Sequence, residues 1–368
     1  MAITISPSQF NQARQCAYRL VLKDKEVAEL PSGSSAALGN VLHKMLEIHA
    51  TAPFQDASQF NEVWDQQISQ QELRLRNSGL TAALVPLART APGYAVKKSV
   101  LRANLLQRTS TRTTEETGNR PPSSAPVSET NMLGTEKMLG TGRIKGKIDL
   151  ARRNATGIEI VDYKSGRFME AGSVATGEGF VKPEYADQLR MYAALFHEAH
   201  NVRPNQLLLV GLNGEEVPVP FTDGECDALL QEAYAFLDDI DQALKDGTGK
   251  AMARPGSAAC RWCPYRPHCA PYLDLLDASG GCMGSDVTGV AANVVLRGNR
   301  LTGNMVTKEG LVAIQAVGAA ATRLYDDLTR NAGAAVALFG MRSTLAGRTF
   351  TAEPTVVMSV LQEAQPVT

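Results

Sequence analysis

Asp149, Asp162 and Lys164 are the residues of this 368-residue sequence best placed to do chemistry together. They fall in two short runs, RIKGKIDL (143–150) and IEIVDYK (158–164), joined by the turn formers Asn154-Ala155-Thr156-Gly157. Side chains in a strand alternate between faces, so Ile158, Ile160, Asp162 and Lys164 share one face. Asp149 comes alongside if the two runs pair. Two carboxylates and an ammonium so placed suit metal-assisted hydrolysis. Hard divalent cations take carboxylate oxygens. Such a cation generates hydroxide near neutral pH and offsets charge on an attacked phosphate. The lysine orients the attacking water or stabilises the developing charge. The competing reading is a pair of strand-end charges with a solvated lysine, and this stretch alone does not separate the two.

A second constellation lies late in the chain. Cys260, Cys263 and Cys269 stand in CRWCPYRPHC, spaced C-x2-C-x5-C, with Pro264 and Pro267 shaping the loop. Thiolates at such spacing hold zinc or an iron–sulfur cluster. Either needs a fourth ligand, and Cys16, His268 and Cys282 are the candidates. His268, directly before Cys269, is too close for a zinc site, and the paired C-x2-C units of zinc knuckles are absent. Cys226, on a predicted helix, reads as a small buried apolar residue. Six cysteines in a chain of this size do not suggest a disulfide framework.

The elements around these residues follow from periodicity. Ser6-Pro7-Ser8 starts a helix that carries Cys16. A second helix, 36–50, has an apolar stripe of Leu38, Val41, Leu42, Met45 and Leu46. His43 lies off that stripe, on the side of Gly39, either as a surface residue or as a ligand facing a cleft. A third helix covers 56–76. Residues 77–131 read as irregular, and 107–130, rich in Pro, Ser and Thr, as a mobile insertion. A glycine-rich loop follows Lys164, then a helix over 184–199 with Gln188 and Tyr192 on one face. Strands at 205–221 and a helix at 223–246 lead to the cysteines. Beyond Ser285, β-branched runs broken by Gly and Asn, with one helix near 319–331, predict a small OB-like barrel or a β-rich packing module. The expected domains are 1–282 and 283–368.

Composition bounds the function. With 44% hydrophobic residues the chain can bury a core, and its net charge of −1 exerts no global pull on nucleic acid. Contact with nucleic acid must then rest on local basic patches. No apolar run reaches a membrane span and the N-terminus has no signal pattern, so a cytoplasmic protein without membrane contact is expected.

The run GKIDL…EIVDYKSG, with Gln188 and Tyr192 downstream and Gly39 and His43 upstream, resembles the RecB-type branch of the PD-(D/E)xK nuclease superfamily. Cys16 with Cys260, Cys263 and Cys269 is similar to the split [4Fe–4S] pattern of that branch's AddB-like members. The resemblance spans roughly residues 6–275 and rests on the joint order of motifs. It implies an α/β fold with a mixed central sheet flanked by helices and an iron–sulfur-clamped helical region. It implies His43, Asp149 and Asp162 as ligands of Mg²⁺ or Mn²⁺, completed by the Tyr163 carbonyl. Lys164 would be catalytic, with Gln188 and Tyr192 orienting it or touching the strand, and Glu136 in a positioning role. The second acid is Asp162 where many members have Glu. Helicase motifs are absent, so a helicase or recombination partner would supply any unwinding. The activity implied is metal-dependent hydrolysis of DNA, single-stranded or at free ends. A non-catalytic DNA-binding or scaffold subunit is the alternative, and a zinc protein a third reading.

Overall fold

In the computed structural model, which describes residues 3–77, 79–117, 131–140, 142–170, 179–344 and 348–361, the two acidic runs form the expected hairpin. Strand β2, Gly146–Asn154, pairs antiparallel with β3, Gly157–Lys164. The Asn154 side-chain oxygen accepts from the backbone N–H of Thr156 (2.9 Å) and Gly157 (3.0 Å) and so closes the turn. Gly157 has φ +143, a region that disfavours side chains.

The described residues divide into two compact units that interleave in sequence. The first comprises 1–14, 34–72 and 87–245. Besides the helix Ala57–Arg76 at the predicted 56–76 and the short Leu87–Thr90, its helices are α1 (Pro7–Gln15), α2 (Ser34–Thr51), α3 (Tyr94–Thr117), α4 (Pro183–His200) and α5 (Asp223–Lys245). Its sheet runs β1 (Asn131–Leu139), β2, β3, β4 (Gln206–Gly211), β5 (Glu216–Pro218). Only β3–β4 is parallel, and helix α4 makes the crossover between them. The sheet is thus mixed and helix-flanked. Strand β3 is buried from Ile158 to Tyr163, as befits a central strand covered on both faces.

Two expectations change here. Residues 94–117 are helical, so the segment read as irregular is structured up to Thr117, and 118–130 lie outside the described residues. Leu101 and Leu105, four apart and buried at 0% and 2%, give that helix its packing face. Strand β1 also falls where no element was expected.

The second unit comprises 15–33, 73–86 and 246–368. After helix α6 (Ala270–Ala278) come β6 (Asp286–Arg297), β7 (Arg300–Thr307), β8 (Gly310–Val317), α7 (Ala319–Arg330), β9 (Ala335–Thr344) and β10 (Thr349–Val360). Strand β6 pairs with β7, β7 with β8, β8 with β10 in parallel, β10 with β9, and β9 back with β6. The sheet therefore closes into a barrel. Its core, including Val287, Leu301, Ile314, Leu338 and Phe350, is plugged by Ala321, Leu324 and Leu328 of α7.

Candidate functional site

The hairpin register decides the first site. Leu150 pairs with Val161, which brings Asp149 and Asp162 side by side at the end of the ladder. Asp149 Oδ2 accepts from the Tyr163 backbone N–H at 2.7 Å and faces His43 Nδ1 at 3.5 Å. His43 arrives on α2. Gly39, one turn earlier, lets that helix lie close to the loop after Lys164, since an added Cβ would stand 3.3 Å from Ser165 Oγ. Asp162 is buried, with its Oδ2 2.6 Å from Lys164 Nζ. That oxygen has no other partner, and its contact with the ammonium is a close ion pair rather than a well-directed hydrogen bond. Gln188 of α4 bridges the two, donating to Asp162 Oδ1 at 3.3 Å and accepting from Lys164 Nζ at 3.1 Å.

Electrostatics follow from burial. Desolvation pushes the Asp162 carboxyl up to about 6; Lys164 opposes this without cancelling it, and Asp149 adds to it. For His43, burial works against the charged form, but the hydrogen bond and charge of Asp149 outweigh it and lift the imidazole above its usual value. Burial raises the Tyr192 phenol, which leaves it a neutral donor or acceptor beside Gln188. The Tyr192 ring is seated over Gly146, where an added Cβ would come within 2.5 Å of it.

Of the residues expected here, His43, Asp149, Asp162, Lys164, Gln188 and Tyr192 are brought together. Tyr163 lends its N–H to Asp149. Glu136 falls on β1, and its side chain lies outside the described residues. Tyr185 was not foreseen. The Lys164 ammonium lies 4.3 Å from the centroid of its ring, a cation–π contact that helps hold the lysine. Its spacing to Gln188, three residues along a helix, was the available signal.

The second site belongs wholly to the second unit. The expected single helix carrying Cys16 breaks, ending at Gln15 and resuming at Tyr18, so Cys16 sits in the break. Cys16, Cys260, Cys263 and Cys269 line one apolar pocket with Tyr18, Leu22 and Pro255. Each sulfur faces a backbone N–H: Arg254 for Cys16 (3.3 Å), Gly256 for Cys260 (3.4 Å), Tyr265 for Cys263 and Tyr272 for Cys269. Burial nonetheless pushes Cys269 up to about 12 and raises Cys260 and Cys263. Cys282, half-buried, and His268, exposed, do not line the pocket, and Cys226 is fully buried on α5.

An arginine organises the cysteine loop. Arg266 donates Nη1–H to the carbonyls of Cys260 (3.0 Å), Arg261 (3.0 Å) and Cys263 (2.8 Å). Its Nε donates to Asp286 Oδ2 at 2.6 Å, an oxygen that also accepts from Tyr272 OH at 2.6 Å. Asp286, 1% exposed, opens β6 and so ties the loop to the barrel.

Among the described residues no three His, Cys, Asp or Glu side chains are already gathered to hold a metal ion. The donor chemistry fits nonetheless. Two carboxylates and an imidazole converge at the first site, and four thiols supplied with N–H donors surround the second.

A family model of the PD-(D/E)XK nuclease superfamily matches residues 4–270. The chain belongs to the PD-(D/E)XK nuclease superfamily. That match contains both acids, Lys164, His43, Gln188 and all four pocket cysteines. A solved structure of a candidate exonuclease from Eubacterium rectale is similar at 11% identity over 76% of this chain and 94% of its own, with a TM-score of 0.38. No curated protein matches the sequence. Among the described residues no helix is long and apolar enough to cross a membrane.

Proposed function

We propose that this superfamily member is a metal-dependent deoxyribonuclease of the RecB-type, AddB-like branch, acting on single strands or free ends. The observation that carries this is the paired acids Asp149 and Asp162 beside the buried Lys164 ammonium. Asp149, Asp162 and His43 would hold Mg²⁺ or Mn²⁺, with the Tyr163 carbonyl completing the set. When bound, the ion supplies a water acidic enough to ionise near neutral pH and neutralises charge on the phosphate. The chain's own residues do the rest. Gln188 and the Tyr185 ring fix Lys164, which donates to the attacking water or to a phosphate oxygen. Tyr192 holds Gln188 from behind. His43 keeps Asp149 aimed into the site. Glu136 is assigned a positioning role on β1.

Cys16, Cys260, Cys263 and Cys269 are proposed as ligands of a [4Fe–4S] cluster. The four N–H donors support this, because thiolates in an apolar pocket need such donors. The cluster would be structural. It joins Cys16 to Cys260 across more than two hundred residues and so restricts the unfolded chain. The 283–368 module is read as OB-like: five strands in a closed barrel with a helix between the third and fourth. A cytoplasmic protein working in DNA repair, recombination, phage replication or defence, with a helicase or recombination partner, fits this chemistry.

The test is degradation of end-labelled single- and double-stranded DNA with Mg²⁺ or Mn²⁺, by wild type and Lys164→Ala. Loss of cleavage in the variant is expected. Equal cleavage removes the catalytic assignment, and no cleavage by either favours a DNA-binding scaffold. Iron and sulfide near four per chain, with absorbance near 400 nm, are expected for the cluster; a colourless, zinc-loaded protein prepared without oxygen would exclude it.

A further inference from the structure

The loop that carries the three late cysteines also carries Trp262, which is 79% exposed, more than any other large apolar side chain described. An indole in water is costly unless something covers it. Arg261 lies over the ring, its guanidinium carbon 5.0 Å from the centroid, which steadies the indole while most of it stays in solvent. The other aromatic side chains of this unit are withdrawn. Tyr18, Tyr265, Tyr272, Phe339 and Phe350 are buried, and Tyr325 packs on the barrel core. Among the described residues of this unit, Trp262 is thus the one Phe, Tyr or Trp side chain that is exposed.

The charge around Trp262 is equally one-sided. From residue 247 to residue 273 the sequence holds Lys250, Arg254, Arg261 and Arg266 and no Asp or Glu, in a chain of net charge −1. Arg266 is spent on Asp286. Lys250, Arg254 and Arg261 are exposed and enter no salt bridge among the described residues. Arg254 donates its backbone N–H to Cys16 Sγ at 3.3 Å, and Arg261 and Trp262 stand in sequence between the pocket-lining Cys260 and Cys263, so the backbone of all three adjoins the thiol pocket.

We propose that Trp262, with Arg261 over its ring and Arg254 and Lys250 on the same acid-free stretch of chain, is a stacking site for an unpaired base of single-stranded nucleic acid, the cations meeting the adjoining phosphates. The proposal rests on the nuclease reading above for its class of ligand. A duplex hides its base faces, whereas a single strand offers one at every nucleotide. A protein partner fits less well, because among the described residues Trp262 is the only large apolar side chain exposed between 247 and 273, and the core of a protein interface gathers several.

The test is fluorescence anisotropy of a labelled oligo-dT strand, and of the matching dA·dT duplex, titrated with the full chain in EDTA. Trp262→Ala should weaken single-strand binding about tenfold or more and leave duplex binding unchanged. Trp262→Phe keeps a π-face and should bind nearly as wild type, whereas Trp262→Leu keeps bulk alone and should bind like the alanine variant. That pair decides the matter even if alanine disturbs the loop, with iron content and melting temperature as controls. Replacing Lys250, Arg254 and Arg261 together should flatten the salt dependence of log K by about 2. Wild-type single-strand affinity in Trp262→Leu overturns the proposal, as does an equal loss on duplex. If wild type cleaves DNA with Mg²⁺ or Mn²⁺ while the Phe and Leu variants bind alike, the surface falls and the nuclease stands. Trp262-dependent affinity without any cleavage gives the reverse.

Discussion

The carboxylate site and the thiol pocket solve opposite problems. At the first, charge is already present in the resting fold. Asp162 is buried as an ion pair with Lys164 and accepts from Gln188, while Asp149 beside it accepts from the Tyr163 N–H and faces His43. At the second, burial disfavours the thiolates of Cys260, Cys263 and Cys269, and the lining is largely apolar, with Arg19, Arg266 and backbone N–H groups as its polar members. On the proposed reading, the first is a costly arrangement retained for chemistry, and the second would gain stability when a bound metal centre drew the protons off.

The sharpest break of this contrast is Asp162→Asn. Hydrolysis should fall at least about a hundredfold. The melting temperature at pH 8 should not fall, because burial costs the ionised carboxyl more than Lys164 returns. The sign follows: with its pKa lifted from 3.8 to about 6, Asp162 is ionised more readily in the unfolded chain. Wild-type stability should then decline as pH rises from about 4 to about 6, by at most about 1.4 kcal/mol per unit, and level off above. Denaturant unfolding of the metal-free protein across that interval checks it; an unchanged slope in Asp162→Asn would assign the decline to another group.

Asp286→Asn probes the other side. It leaves the Arg266 guanidinium buried without its carboxylate, which costs about 3–5 kcal/mol. A fall of about 10 °C in melting temperature is expected, with faster iron loss to a chelator and cleavage per folded molecule retained. Catalytic loss without destabilisation would erase the distinction between the two sites. The smallest effect concerns Tyr185. Phenylalanine should leave kcat within about twofold, since the ring face alone meets Lys164, and leucine should lower it about three- to tenfold. Steady-state cleavage rates separate the two.

Much of the first site was legible because it is local. Asp149, Asp162 and Lys164 lie on one hairpin whose turn and alternation are written in adjacent residues, and the Gln188 and Tyr192 spacing is a helical one. The barrel was also foreseeable from β-branched runs around one helix, although its closure through β9 and β6 was not. Helix α3 and strand β1 were obscured by the polar stretch between them, where periodicity is weak. Tyr185 escaped because its helical spacing to Gln188 puts it on the same face without saying that its ring meets the Lys164 ammonium.

Residue type and near-neighbour spacing determined the chemistry available: two acids and a lysine on paired strands, three thiols in one loop, a lone tryptophan among cations. Only the tertiary structure decided which distant groups joined them. It put Cys16, and not His268 or Cys282, in the lining of the thiol pocket, brought Gly39 and His43 to Asp149, and set Arg266 between the cysteine loop and Asp286. Local pattern fixes short-range geometry through the backbone's few dihedral choices. Long-range partners are selected by which faces must be buried together, and that is settled only when the whole chain packs.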